Sequence, residues 1–463
     1  MADAYVALDS SPEIREPARV ANLAIWKQVI PPFVTWKLAI LFITLFGLSF
    51  FAIADPKDRT LSYSDPSLDY WARWGTWDGG HYQGIAVNGY AQYQTAWFPA
   101  YPVLIKILML LGVPPLWAGL AISHVSALAA MYYLYRLALL EFGDEVAKRV
   151  IFALLIFPTS FYLGAVYNES LFLAVAAASF YYARNSRWLL ASILAGAAGA
   201  TRVTGLAVIA GASAEYLLKN HAGFEIKALW QTQIRRLLLF TLALTLGLNL
   251  IRAALRGSQP PLSGDPLTIS ATVCTYVFSG VAVAAFMEAV LRNIIFRKVL
   301  SRQFAYLLLS LVPFVLYMAY QQVVFGNPLS FMANEARYNK VLTFPWRAPQ
   351  DVVTYLVVKH FVEVGGTMRI LVYLIFFAAL ATGFIFCLSR FRSSYTVYYF
   401  LALLIPLLSG TLMDFPRYSL AVFPFFFAAG HVRNELLQNT AIMFSILMLS
   451  AMAMLFVNGY WFM

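Results

Sequence analysis

Four ionisable residues in an otherwise apolar chain have the types and neighbours for acid–base chemistry beside a phosphate: Asp78, Glu169, Arg202 and Arg417. Asp78 lies between Trp77 and Gly79-Gly80, where bare backbone admits a ligand and the indole excludes water. Partial desolvation moves a carboxylate toward general-base values. His81, three residues on, shares a face with Asp78 if the segment is helical, as a hydrogen-bonding partner rather than a ligand. Glu169 follows Asn168 at the head of an almost uncharged run, and an ionisable group at that depth is a functional candidate. The pair also reads as a helix start, with Asn168 as N-cap and Glu169 in the first turn. Asn168-Glu169-Ser170 matches a glycosylation sequon, accidental so close to a membrane span. Arg202, between Thr201 and Thr204, and Arg417, in Asp414-Phe415-Pro416-Arg417-Tyr418, can snorkel to an interface or hold a phosphate bidentately. Arg337 and Tyr338 are acceptor-side candidates, in a polar patch with Asn334, Glu335 and Lys340 that otherwise reads as solvated surface.

This set suits one reaction: a hydroxyl loses its proton to Asp78 and attacks a sugar carbon, while arginine holds the departing phosphate. Glycine-rich phosphate loops, dinucleotide fingerprints, His-Glu-x-x-His helices and Gly-x-Ser-x-Gly elbows are all missing from the sequence. Nucleotide-dependent work is therefore disfavoured, and the activated substrate is expected to be a lipid phosphate. Asp78 and Glu169 with one water are the candidate ligands for a divalent cation, and two carboxylates alone leave that question open.

The elements that position these residues must lie in a bilayer. Of 463 residues 61% are hydrophobic and 12% charged, and mean hydropathy is +0.70. Apolar runs of helical-span length recur from residue 33 onward, which predicts an all-α polytopic membrane protein rather than a barrel. The excess of basic residues, +11 overall, then reads as topology rather than as nucleic-acid binding. Cys274 and Cys387 both lie in apolar runs, so no disulfide framework is expected.

Residues 1–32 read as a cytoplasmic tail and 33–463 as one integral membrane domain, with outer loops over 54–115 and 326–367. Lys27 and Lys37 flank the first span, about 33–53, and place the N-terminus in the cytoplasm. The run Trp97 to Gly112 is short and contains Pro99 and Pro102, which predicts a re-entrant or juxtamembrane helix on the outer side. Further spans are expected at about 116–138, 147–163, 169–183, 236–255, 268–290, 303–325, 368–389, 395–412, 416–432 and 439–460. Residues 188–218 form two short helices broken at Thr201–Gly205, roughly thirteen membrane segments in all. On this topology the cytoplasmic side carries 20 basic and 11 acidic residues, and Asp78, Glu169, Arg202 and Arg417 share the outer face.

The chain resembles the PIG-V type mannosyltransferases (GPI mannosyltransferase II) and their prokaryotic relatives, members of the GT-C glycosyltransferases. The resemblance rests on the run from Arg73 through Trp77-Asp78-Gly79-Gly80-His81-Tyr82, on Ile85-Ala86 with Gly89-Tyr90, and on Trp97-Phe98-Pro99-Ala100-Tyr101-Pro102. It continues through Phe157-Pro158-Thr159-Ser160, Tyr167-Asn168-Glu169-Ser170-Leu171, Ala200-Thr201-Arg202-Val203-Thr204-Gly205, Phe325-Gly326-Asn327-Pro328 and Pro416-Arg417-Tyr418. Ala100 and Val203 depart from the residues frequent in relatives, so acceptor contacts are expected to differ.

The resemblance implies a GT-C fold and an inverting transfer of mannose from a polyprenyl or dolichyl phosphate sugar. The acceptor would be a lipid-linked glycan or other hydroxyl on the non-cytoplasmic face. It makes Asp78 the base and Glu169, Arg202 and Arg417 members of the donor or metal site; Arg202 and Arg417 are the expected phosphate ligands, with Glu169, His81, Asn168 and Trp77 as polar support. The short loops and abundant Arg and Ala suggest a bacterial plasma-membrane relative. Two other classes compete: a transporter or flippase of a lipid-linked sugar, and a non-catalytic subunit of a membrane complex.

Overall fold

The computed structural model describes residues 18–53, 70–220, 302–338, 340–358 and 364–460. Every regular element among them is helical. Five helical stretches are long and apolar enough to cross a membrane: Leu23–Phe50, Pro115–Phe142, Ala305–Phe325, Met368–Arg390 and Glu435–Val457. Their outer faces expose large apolar side chains, such as Leu23, Leu38 and Phe42 on the first and Leu436, Met443 and Leu447 on the last. In water such surfaces would drive aggregation; against lipid tails they carry no penalty.

The first helix, α1 (Ala18–Phe50), runs unbroken through Pro31 and Pro32, so residues 18–32 belong to the helix rather than to a separate tail. Lys37 consequently lies mid-helix and not at a flank. Its ammonium lies 5.0 Å from the centre of the Trp74 ring, which removes it from the loop charges that set orientation. The expected spans at 236–255 and 268–290, and Cys274, lie outside the described residues; Cys387 is buried.

The remaining helices before the first site loops close are α2 (Asp78–Asn88), α3 (Ala100–Leu110), α4 (Pro115–Phe142), α5 (Asp144–Ile156) and α6 (Glu169–Arg184). With 11 residues, α3 is about 16 Å long and too short to span a bilayer. The span expected at 147–163 stops at Ile156, because Phe157-Pro158 cannot continue the helix and a 3₁₀ turn follows at Ser160–Gly164. Small residues let α4 and α6 approach closely: Ala127, Ala130 and Ala138 on one, Ala176 and Ala177 on the other, are all buried. A Cβ at Gly119 would lie 2.4 Å from Val166 Cγ1, so only glycine admits the strand of backbone leading into α6.

Residues 188–218 do break in two, into α7 (Trp188–Thr201) and α8 (Gly205–Asn220). A Cβ at Gly205 would fall 2.3 Å from the Ala198 backbone, which is why the second helix can start directly against the first. Next come α9 (Arg302–Leu309), α10 (Val312–Phe325), α11 (Ser330–Glu335), α12 (Arg347–Val358), α13 (Val364–Arg390) and α14 (Ser393–Leu407). The span expected at 416–432 is instead two short helices, α15 (Phe415–Tyr418) and α16 (Phe423–Gly430), parted by a 3₁₀ turn and by Pro416 and Pro424. The last helix is α17 (Glu435–Val457), capped by Asn434, whose side chain accepts from the Leu437 amide at 2.9 Å.

At one end of the bundle a buried ionic group ties four elements together. Arg184 of α6 pairs with Glu141 of α4 and with Glu215 of α8, the latter at 3.0 Å, and Ser394 of α14 donates to Glu215 at 2.7 Å. The opposite end of α6 carries Glu169, about 22 Å away along the helix axis. One strut therefore runs from a fixed charged knot to the candidate site.

Candidate active site

Asp78 owes its place to the loop before α2. The Trp74 carbonyl accepts from the Val166 amide at 2.8 Å, Tyr167 donates its hydroxyl to the Thr76 carbonyl at 3.2 Å, and Gln83 donates to the carbonyls of Gly75 and Gly79 at 3.0 Å each. Trp77 sits at φ 57°, ψ −122°, a region that side chains rarely occupy. Such strain persists only where surrounding contacts over-determine it, and here it turns the chain so that Asp78 opens a helix. A carboxylate in the first turn is favoured by the helix dipole.

Glu169 likewise opens α6. Asn168 stands at the position before it but caps nothing: its side-chain amide donates to the Thr201 carbonyl at 2.7 Å. The capping expectation is thus replaced by a link between α6 and the end of α7, which holds Arg202 beside Glu169. Asn168 is 3% exposed, so its sequon is closed to modification. Arg417 is fixed by Asp414, in left-handed conformation at φ 62°, and by Thr159, which donates to the Pro416 carbonyl at 3.0 Å.

The four predicted residues meet. Arg417 Nη1 lies 2.5 Å from Asp78 Oδ2, Arg417 Nε 3.3 Å from Glu169 Oε1, and Arg202 Nη2 3.2 Å from the same Glu169 oxygen. The charges alternate along a chain from Arg202 to Glu169 to Arg417 to Asp78. The Tyr418 ring packs against both guanidinium groups, its centre 5.1 Å from Arg202 and 5.3 Å from Arg417. Tyr162 and Tyr167 close the other side of Arg417 at 5.9 and 5.6 Å. Burial differs along the chain: the Glu169 side chain is 1% exposed and that of Asp78 17%, so Asp78 is the carboxylate a substrate can reach. The Oε2 atom of Glu169 is buried with no hydrogen-bond partner. Arg417, despite burial, is held well above the usual guanidinium value by Asp78, Asp414 and Glu169, and stays charged.

Two residues of the patch read mostly as solvated surface, Lys340 and Glu335, join this cluster through Asp414. Lys340 lies 2.9 Å from Asp414, 3.2 Å from Glu335 and within 3.2 Å of the Tyr418 hydroxyl, which accepts from it. Burial alone would raise the Asp414 carboxyl, but Lys340 and then Arg417 outweigh it and hold the group below its ordinary 3.8. The available signal was Asp414 three residues before Arg417; nothing local marked Lys340. The backbone of Val341 donates to the Ser409 carbonyl at 3.0 Å and that of Thr343 to Leu408 at 2.8 Å, which brings the 340–343 segment onto the site.

His81 is buried on α2, stacked on Trp97 with ring centres 3.7 Å apart, and Nδ1 has no hydrogen-bond partner. Burial lowers its pKa and the Asp78 charge partly opposes this, so the imidazole is neutral near pH 7. Tyr338 meets the Trp97 edge at 6.2 Å and remains 40% exposed at the rim. Arg337, on the adjoining 3₁₀ turn, is exposed and stands apart from the charge chain. Trp77 is half-buried. As for a divalent cation on Asp78 and Glu169, the guanidinium of Arg417 lies between those two carboxylates, and the described residues contain no group of three or more metal-ligating side chains.

No protein-family model and no curated protein matches the chain. Among solved structures it is similar to an oligosaccharyltransferase, AglB from Archaeoglobus fulgidus, in complex with an inhibitory peptide and a dolichol-phosphate. That match has 14% identity and a TM-score of 0.36 over 90% of this chain. A second structure, an Archaeoglobus fulgidus oligosaccharyltransferase complexed with zinc and sulfate, gives 15% identity and a TM-score of 0.29. The chain spans about half the length of these proteins, 56% and 53% respectively.

Proposed function

We propose that this protein is an inverting GT-C glycosyltransferase that moves one sugar from a polyprenyl phosphate donor to a hydroxyl acceptor. A single observation carries the reading: a reachable carboxylate, Asp78, stands 2.5 Å from one of two arginines that share a buried glutamate. That is the pairing of proton acceptor and phosphate holder that displacement at a sugar–phosphate bond needs.

The acceptor hydroxyl attacks the anomeric carbon, and its proton passes to Asp78. The bond from that carbon to the phosphate oxygen breaks with its electron pair, and polyprenyl phosphate departs with the added negative charge held by Arg202 and Arg417. One displacement inverts the anomeric centre. While paired with Arg417, the Asp78 oxygen that would take the proton is occupied by the guanidinium. An arriving donor phosphate competes for the guanidinium and releases the carboxylate. Glu169 anchors both arginines between turnovers, and the tyrosine rings with Trp97 keep water from the donor.

Mannose as the sugar, a lipid-linked or glycan acceptor, and a site on the non-cytoplasmic face of a bacterial plasma membrane follow from the motif resemblance. The test is transfer of labelled mannose from polyprenyl phosphate mannose by the purified protein in lipid, with acceptor fractions from membranes. Formation of a product of inverted configuration supports the reading. Movement of intact donor between leaflets without glycosidic product would identify a flippase instead.

A further inference from the structure

A groove at the far end of α6 from the charge chain has a different chemistry. It is lined by Ser186, Arg187, Trp188, Leu189, Leu190, Gln303 and Tyr306 and encloses about 400 Å³ between the start of α7 and α9. Lys219, at the end of α8, reaches it by donating to the Ser186 hydroxyl at 3.0 Å. Arg187 is exposed and its side chain has no ion pair or hydrogen bond among the described residues, unlike that of Arg184 three residues earlier. Both basic groups are therefore at the groove, no carboxylate is among its described lining residues, and Lys219 also feels Glu215 and Glu141 of the knot around Arg184.

The other wall leads into lipid-facing surface. Leu189, Leu190 and Ile193 of α7 are 47%, 39% and 58% exposed, and Leu308 and Leu309 of α9 are half exposed opposite them. Trp188 and Tyr306 stand where the polar and apolar parts meet, the position aromatics favour at a bilayer interface. Arg187 follows the C-terminal end of α6, whose 16 residues separate it from Glu169 by about 22 Å along the helix axis.

We infer that this groove binds an anionic phospholipid, its headgroup phosphate against Arg187 and Lys219 and its acyl chains along Leu189, Leu190 and Ile193. The occupant follows from charge and shape together. The Arg187 guanidinium, with Lys219 beside it and no carboxylate among the described lining residues, selects a phosphate of net negative charge, and the leucine wall requires chains attached to it. A zwitterionic headgroup would bring its own ammonium toward Arg187 and lose the preference. This site is independent of sugar transfer and lies at the opposite end of α6 from Glu169.

The test is native mass spectrometry of the full chain released from nanodiscs containing equal phosphatidylglycerol and phosphatidylcholine. The wild-type protein is expected to retain phosphatidylglycerol preferentially. Reversing one basic group beside an anionic headgroup should reduce that retention at least about fivefold in Arg187→Glu, while Arg187→Lys keeps it. Arg187 is exposed, so neither change burdens folding, and intact α-helical content in both variants checks this. Equal retention of the two lipids by the wild type, or phosphatidylglycerol retention unchanged in Arg187→Glu, would overturn the site.

Discussion

Arg417 and Asp78, 339 residues apart in the chain, are joined by a contact of 2.5 Å between a buried guanidinium and a carboxylate that solvent can reach. Each neutralises the other across the site, and the proposed reaction gives each a separate task.

Replacing Asp78 by Asn keeps the shape and removes the proton acceptor. Transfer should fall by about 10²- to 10⁴-fold. Binding of polyprenyl phosphate should hold or tighten, since Arg417 no longer has that carboxylate as a competitor. Initial rates and lipid binding measured on one preparation separate the two effects.

Arg417 serves both Asp78 and Glu169 through different nitrogens, and a lysine presents one point charge in place of that fork. Arg417→Met should lower stability by up to about 3 kcal/mol, because Asp78 loses its cation and buried Glu169 keeps only Arg202. Adding Asp78→Asn should recover part of that loss. Thermal unfolding of the single and double variants reads the coupling; strictly additive effects would contradict the pairing.

Asn168→Asp sets a carboxylate oxygen against the Thr201 carbonyl where an amide now donates. We expect a loss of roughly 1–3 kcal/mol and a larger fall in turnover than in stability, since the link that holds Arg202 beside Glu169 is lost. Asn168→Ala, which removes the donor without adding charge, should be milder on both readouts.

Asp414 gives the acid dependence its sign. Its folded pKa is below the ordinary 3.8, so its pairing with Lys340 and Arg417 contributes full stability above about pH 4 and loses it as pH falls further. Unfolding followed from pH 6 to pH 3 should steepen below pH 4 in the wild type. The Asp414→Asn variant should start less stable and show a shallower acid slope.

Much of this arrangement is legible in the sequence because charge is so scarce. Asp78, Glu169, Arg202 and Arg417 stand out against apolar neighbours, and the glycines and prolines around them mark where helices break. The shortness of Ala100–Leu110 follows from such local signals, while the interruption at Thr201–Gly205 is preferred to one overlong helix on the balance of loop charge. Long-range pairings were hidden. Lys340 looks like any loop lysine until the 341–343 segment is laid against residues 408–409, and Lys37 looks like a flanking charge until Trp74 is folded beneath it. Apolar periodicity also overstates span length, as at 147–163 and 416–432, because it does not register where proline ends a helix inside an apolar run.

The central claim is that Asp78 takes the acceptor's proton in a site whose arginines hold the donor phosphate. Single-turnover transfer from labelled polyprenyl phosphate mannose, measured for wild type and Asp78→Asn at matched donor occupancy, tests it most directly. The account predicts an inverted product from the wild type and a rate at least about a hundredfold lower in the variant with donor still bound. Wild-type rates in Asp78→Asn at equal occupancy would contradict it.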